Sequence, residues 1–245
     1  MTTGVDLGPV RAALTGTVTP ASLDTACRLA ADLLGVAGIA VTVALPRTVR
    51  AVIGASTDVA RLVEEAQLTV AEGPCTIATA TGRPVTVDDL SDPAETRWPM
   101  LVRYLTDLPV RAVVALPLIP AGVLRGGRAL GSMDCFSARP RGLDDVDITA
   151  LGTVAGLLAD AVPRLRAAHP GTPDPVRGAW AQLHQATGLV MNALGLPALD
   201  ALDALRARAF AHGQLLNDLA ADVTTGREAA DLADPPSTPR GFPTG

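Results

Sequence analysis

The chain has 245 residues, 48% hydrophobic and 18% charged, which suits one large or two modest packed cores and excludes a disordered polymer. Its 20 basic residues are all arginine and face 25 acidic ones, so a net charge of −5 excludes a nonspecific polyanion binder and leaves any nucleic-acid contact to a local patch. Cys27, Cys75 and Cys135 have neither CxxC nor metal-like spacing, which points to a reducing cytoplasm, and no leader-like start or run of about 18 apolar residues predicts secretion or a membrane span.

Residues 1–18 are small, polar and glycine-bearing and read as a flexible arm, with at most a helical turn near Val10 to Leu14. Thr19-Pro20 marks a helix start, threonine as cap and proline in the first turn, and Leu23, Ala26, Ala30, Leu33 and Leu34 form the buried stripe before Gly35. From Gly38 the period becomes two. Ile39, Val41, Val43 and Leu45 alternate with Ala40, Thr42 and Ala44, the pattern of a strand that Pro46 ends. Val49 to Gly54 is a second strand, Asp58 to Gln67 a helix, Thr76 to Thr81 another helix and Val85 to Val87 a short strand. Asp88, Asp89, Asp92 and Glu95 crowd the loop before Trp98. With no nucleophile or phosphate-cradling glycine loop beside them, they read as a solvated loop first and a pocket rim second.

The order Gln67-Leu68-Thr69-Val70-Ala71-Glu72-Gly73-Pro74-Cys75, Gly82-Arg83-Pro84, Arg97-Trp98-Pro99, Val113 to Leu118 and Leu130-Gly131-Ser132-Met133-Asp134, closed by a long helix, resembles a GAF domain. That resemblance implies a small-molecule sensor over residues 19–166, a central antiparallel sheet with helices on one side and a ligand pocket under loops on the other. Trp98, Tyr104 and Cys75 are the pocket candidates, because aromatics are rare in this chain and often line pockets; both rings serve equally well as core. GAF-like domains include a methionine-sulfoxide-reducing enzyme, so Cys75 also raises a redox reading, against which stands the usual fate of an unpaired cysteine as a buried small hydrophobe. His169, His184 and His212 lack the close spacing of a metal site, and no metal or cofactor is expected.

Ile148, Leu151, Ala155, Leu158 and Val162 step by three and four, the seam of a coiled coil, and predict a homodimer contact; the same stripe also suits packing on the domain's own sheet. Pro163 predicts a kink or stop by Val162. Residues 167–175 read as a proline-rich linker and 227–245 as a disordered tail.

Between them, residues 176–226 divide into helices. Val176, Ala179, Leu183, Ala186, Val190 and Leu194 form one stripe, Leu199, Leu202, Leu205 and Ala209 a second, and Leu216, Leu219, Ala220 and Val223 a third, with Gly195, Gly213 and Gly226 as stops. His184-Gln185-Ala186-Thr187-Gly188, Leu194-Gly195-Leu196, Ala201-Leu202 with Leu205-Arg206, and Leu219-Ala220-Ala221-Asp222-Val223 resemble the ANTAR domain, an RNA-binding output module of transcription antitermination regulators. The resemblance implies binding of a nascent-RNA hairpin through Arg206 first, then Arg208, His212, His184, Gln185 and Thr187, with a solvated helix face as the plain alternative. Two departures stand out. Thr187 and Gln214-Leu215 occupy places where such modules usually carry basic residues, and Arg177, Arg206 and Arg208 face Asp200, Asp203, Asp218 and Asp222. Phosphate neutralisation dominates such affinity, so one copy binds weakly and pairing doubles the count.

The sequence therefore predicts an α+β chain, an antiparallel-sheet GAF-like domain with flanking helices followed by a C-terminal three-helix bundle. The function expected is a non-enzymatic, cytoplasmic, signal-responsive antitermination regulator, with a GAF-like redox enzyme and a protein-interaction module as rivals.

Overall fold

The computed structural model describes residues 5–44, 50–121, 129–167 and 175–226, with the backbone alone at 166–167 and 175–180. Helix α2 (Pro20–Leu34) starts in a capping box: Ser22 N donates to Thr19 Oγ1 and Thr19 N donates to Ser22 Oγ. Strands β1 (Gly38–Ala44) and β2 (Arg50–Ala55) follow, then α3 (Asp58–Val70), α4 (Pro74–Thr81), β3 (Val85–Val87), α5 (Pro99–Leu105), β4 (Ala112–Pro117), β5 (Gly131–Ser137) and α6 (Ile148–Ala167). The strands form one sheet in the order β2-β1-β5-β4-β3, each neighbour antiparallel.

The two-residue period of the strands separates two cores. Ile39, Val41, Val43, Val114, Met133 and Cys135 face α2 and α6. Ala40, Val113 and Phe136 face the opposite side with Val63, Trp98, Leu101 and Leu105 from α3, α5 and the preceding loop. Helices thus cover both faces, not the one side that the family resemblance implied.

Three sequence expectations are corrected here. The arm over 1–18 is not loose among its described residues: Gly8–Ala13 form α1, and Val10, Leu14 and Val18 are buried in the core shared with α2 and α6. Helix α6 does not stop at Val162 but continues through Pro163 to Ala167. The heptad stripe belongs to the domain's own interior. Leu151, Ala155, Leu158 and Val162 are buried in the first core, while Ile148 is 64% exposed, so this face is spoken for within one chain. The span Ile148–Leu165 is apolar enough for a membrane helix by length and composition, and the same burial accounts for its apolarity.

The C-terminal helices are α7 (Pro175–Leu194), α8 (Ala198–His212) and α9 (Leu216–Thr224). They enclose a core of Leu183, Ala186, Val190, Ala201, Leu202, Leu205, Ala209, Leu216, Leu219, Ala220 and Val223, which matches the three stripes closely. Leu199, assigned to the second stripe, is 60% exposed, and Pro197 sits as the cap of α8 rather than inside its first turn. Gly213 ends α8 in the left-handed region at φ 65°. Of the linker predicted at 167–175, Ala167 ends α6 and Pro175 opens α7, while residues 168–174, the tail at 227–245, Pro46 and Val49 lie outside the described residues.

The seam's burial gives a direct test. Leu158→Ala leaves a cavity in a full core and should cost about 3 kcal/mol, whereas Ile148→Ala should stay within about 0.5 kcal/mol. Urea midpoints of the two variants check this; equal, small effects would place the stripe outside the core.

Candidate sensor cluster and its contact with the C-terminal helices

The motif Glu72-Gly73-Pro74-Cys75 works residue by residue. Glu72 Oε1 accepts from the N–H groups of Met100 (2.7 Å) and Leu101 (2.9 Å), satisfying the open first turn of α5. Gly73 takes φ 132°, and a Cβ there would lie 2.3 Å from Gln67 Oε1, so only glycine fits. Pro74 opens α4, and the Cys75 N–H then donates to Gln67 Oε1 at 3.0 Å.

Gln67 in turn gathers two acids. Its Nε2 donates to Glu64 Oε1 (2.8 Å) and to Asp134 Oδ2 (3.0 Å). Glu64 and Gln67, three residues apart, share one face of α3, while Asp134 projects from β5 on the side opposite Met133 and Cys135. Arg50 Nη1 closes the group, donating to Cys75 Sγ (3.3 Å) and Thr76 Oγ1 (2.8 Å). Glu64, Cys75 and Asp134 are fully buried, and one donor atom from each lies within 4.8 Å of the others.

Burial makes this cluster electrostatically unusual. Glu64 is pushed well above the usual carboxylate range, first by burial and then by the charge of Asp134. Asp134 is raised to about 6 by burial, held back by hydrogen bonds from Gln67, Glu64 and Ser132 and by the charge of Arg50. Yet Glu64 Oε2 and Asp134 Oδ1, both buried, have no partner in hydrogen-bond geometry. Burial and mutual repulsion therefore oppose a second negative charge in this space, and the two acids titrate as a pair.

Of the pocket candidates, Cys75 joins this cluster, but Trp98 and Tyr104 do not line it. Trp98 is core, with the Arg97 guanidinium over its ring at 4.2 Å. Tyr104 bridges to the C-terminal helices: its hydroxyl donates to the Gln214 carbonyl (2.7 Å) and its ring meets Phe210 at 5.4 Å. Cys27, Cys75 and Cys135 are free and buried, and burial pushes the first and last up to about 12 and Cys75 well above its ordinary value. Such thiols are neither exposed nor ionised at neutral pH, so nothing here favours redox cycling.

The sequence missed Glu64, Gln67 and Asp134 as a site, although polar residues at inward positions of an apolar helix and strand are a readable signal. The acidic loop before Trp98 is mostly self-contained: Asp89 pairs with Arg111 (2.7 Å) and Glu95 with Arg97.

The opposite side of α3 carries the C-terminal unit. Thr69 Oγ1, fully buried, accepts from Leu216 N (2.9 Å), and Phe210 and Leu215 pack against the second core. A cleft between the units is lined by Arg50, Glu65, Thr69, Ala71, Arg206 and Asn217, among others. The residues expected to face RNA do not share one surface. Arg206 points into this cleft, 17% exposed at its side chain, bound to Asp203 (3.0 Å), with Nε buried and without a partner. Arg208 is buried, correcting its placement on an open face. Thr187 is buried as well, its hydroxyl donating to the Leu183 carbonyl (2.7 Å) because that bond satisfies a core-facing threonine. His184 and Gln185 are exposed and His212 is half-buried.

The carboxyl pair predicts a pH dependence. Both groups have raised values in the fold, so their contribution to stability is full below the unfolded range near 4 and is lost as pH rises through the folded values, about 6 for Asp134. The urea midpoint of wild type, relative to Glu64→Gln, should therefore fall between about pH 4 and pH 8. Parallel curves would show that Glu64 is not raised.

A family model described as GAF domain matches residues 20–162. No curated protein matches the chain. The GAF domain from Acinetobacter phosphoenolpyruvate-protein phosphotransferase is similar over 68% of this chain and 95% of its own, at 13% identity and a TM-score of 0.50. The free methionine-R-sulfoxide reductase from Neisseria meningitidis, solved with its substrate, is similar over 66% of this chain and 89% of its own, at 19% identity and a TM-score of 0.49. Identities this low speak to fold alone. The sheet order, the cores on its two faces and a family match over more than half of the chain agree: it belongs to the GAF domain family.

Proposed function

We propose that this protein is a signal-responsive regulator in which the GAF sensor holds a C-terminal RNA-binding unit closed, and that the released unit grips a nascent-RNA hairpin and prevents transcription termination. The observation that carries the reading is the position of Arg206. The arginine that the ANTAR resemblance makes the first RNA contact is turned into the cleft with the sensor, beside Arg50 and Glu65. A phosphate-binding side chain held there is withdrawn from solution, and separation of the two units would return it.

Further support comes from the weakness of the closure. Glu65 of α3 is raised by burial and then by Asp218 of α9, a like charge across the contact. Hydrogen bonds across the contact, such as Thr69 to Leu216 and Tyr104 to Gln214, are each worth only about 1 kcal/mol net. A signal of modest binding energy is enough to shift such a balance. In this reading the chain is not an enzyme and works in the cytoplasm, where nascent RNA is. Pairing of two subunits would need a surface other than the buried stripe of α6.

Leu189, Met191 and Leu199 are exposed apolar side chains on α7 and α8, and they favour a second reading in which the released unit takes a protein partner.

Fluorescence anisotropy on a paired-hairpin RNA, from about 50 to 300 mM salt, separates the two. The double variant Thr69→Val, Tyr104→Phe removes about 2 kcal/mol of closure and should bind roughly tenfold or more tightly than wild type. Adding Arg206→Ala should reverse the gain and flatten the log-log salt slope by about 0.7 per subunit. Absence of binding by the double variant at about 50 mM salt would end the RNA reading and put the protein-interaction reading first.

A further inference from the structure

The geometry points to a divalent transition-metal site of the zinc class inside the sensor, with Glu64, Cys75 and Asp134 as its ligands. Their donor atoms lie within 4.8 Å of one another, all three residues are fully buried, and Glu64 Oε2 and Asp134 Oδ1 have no other partner. Buried, unpartnered carboxylate oxygens are costly unless a proton, a water or a cation fills the space they face.

The donor set selects the ion. One thiolate and two carboxylates suit zinc or cobalt(II), whereas calcium and magnesium take oxygen ligands alone. Tetrahedral bonds of about 2.0 to 2.3 Å put neighbouring ligand atoms roughly 3.3 to 3.8 Å apart, so the three atoms need to close by up to about 1.5 Å. Closing requires the Glu64 and Asp134 carboxylates, each held at its other oxygen by Gln67, to turn toward the sulfur. The fourth position has no protein donor among the described residues and is left to water or a small anion, as in sites that sense or react rather than merely brace.

A supporting shell is already in place. Gln67 donates to Glu64 Oε1 and Asp134 Oδ2, the oxygens opposite the unpartnered ones, and so aims both carboxylates inward. Its Oε1 accepts from the Cys75 N–H, fixing the third ligand's backbone with the same amide.

Arg50, 3.3 Å from the sulfur, seems at first to oppose a cation, but it balances the charge. Three anionic ligands and one guanidinium sum to −2, which a divalent ion cancels. Arg50 also lines the cleft shared with Arg206, Thr69 and Asn217, so one residue of the cluster reaches the contact between the two units.

The experiment uses the full chain, stripped by chelation and titrated anaerobically with cobalt(II), then with zinc(II). Wild type should take up one equivalent with a near-ultraviolet thiolate-to-cobalt absorption band, and zinc should displace the cobalt and abolish the band. Cys75→Ser should lose the band, and Glu64→Gln and Asp134→Asn should each weaken zinc by at least about tenfold. Glu64→Gln keeps the side chain's shape and can donate to Asp134, so it tests the site even where another variant fails to fold; circular dichroism confirms the fold of each. A folded wild type that shows no thiolate band, or a folded Glu64→Gln that binds zinc as tightly as wild type, would overturn the site and leave the cluster as a proton-sharing acid pair.

Discussion

A single amide, that of Gln67, ties together three elements of the sensor. It holds Glu64 on its own helix, Asp134 on β5 and the backbone of Cys75 at the start of α4. Its reach requires the backbone to come close, and that requirement explains the glycine at 73, whose Cβ would collide with the amide oxygen. With Gln67 in place the two carboxyls sit in a dry interior, where each additional charge is expensive and each proton or ion is correspondingly well held. The rest of the sensor's second core, from Val63 to Phe136, packs around this polar knot rather than through it.

Because Gln67 and Thr69 lie two residues apart on α3, about 200° around the helix, the cluster and the C-terminal unit grip opposite sides of one rigid rod. Glu64 and Gln67 look toward β5; Glu65, Leu68 and Thr69 look toward α9 and the cleft. In the proposed switch, a change of ligation or protonation at the cluster that rotated or shifted α3 would be felt directly at Leu216, through the bond from Thr69. The rod ends in Ala71, a residue other than glycine held at φ 55°, which lines the same cleft. A left-handed alanine costs on the order of 1 kcal/mol, so the turn between the cluster and the contact holds strain that a small movement can release.

How much of this was legible in the sequence depends on whether the signal was local. The strands were readable because alternation is local: Ile39, Val41 and Val43 announced one face and the structure places them there. The three C-terminal stripes were readable for the same reason. The stripe of α6 was readable as apolar but not as to what it meets, since Leu151 and Leu158 satisfy a sheet and a second helix with equal ease. The first helix is legible only as a turn near Val10 to Leu14, because six residues with Val10 as their one buried member make no period. The buried cluster was hidden for a different reason. Asp134 and Glu64 are 70 positions apart, and nothing in either neighbourhood says that Gln67 will bring them together. Arg206 shows the limit most clearly: its identity was visible, but the partner it faces is set by docking.

Docking is also what the C-terminal unit needs in order to be well folded. About fifty residues enclose a small core, near the size at which a single core is marginal, and the unit adds to it by burying Leu216, Phe210 and Leu215 against the sensor. Release therefore gives up apolar burial as well as two hydrogen bonds, and an open unit is less stable than a closed one. A partner that binds the open unit, whether RNA or protein, restores that loss through its own contacts, so ligand affinity and unit stability are coupled. The buried Nε of Arg206, unpartnered in the cleft, offsets part of the closure from the other side. Apolar burial thus favours closure, while two electrostatic features, the Arg206 Nε and the Glu65–Asp218 pair, oppose it. The proposed switch needs such opposition, because a contact held by many kilocalories per mole would answer to no signal of ordinary affinity.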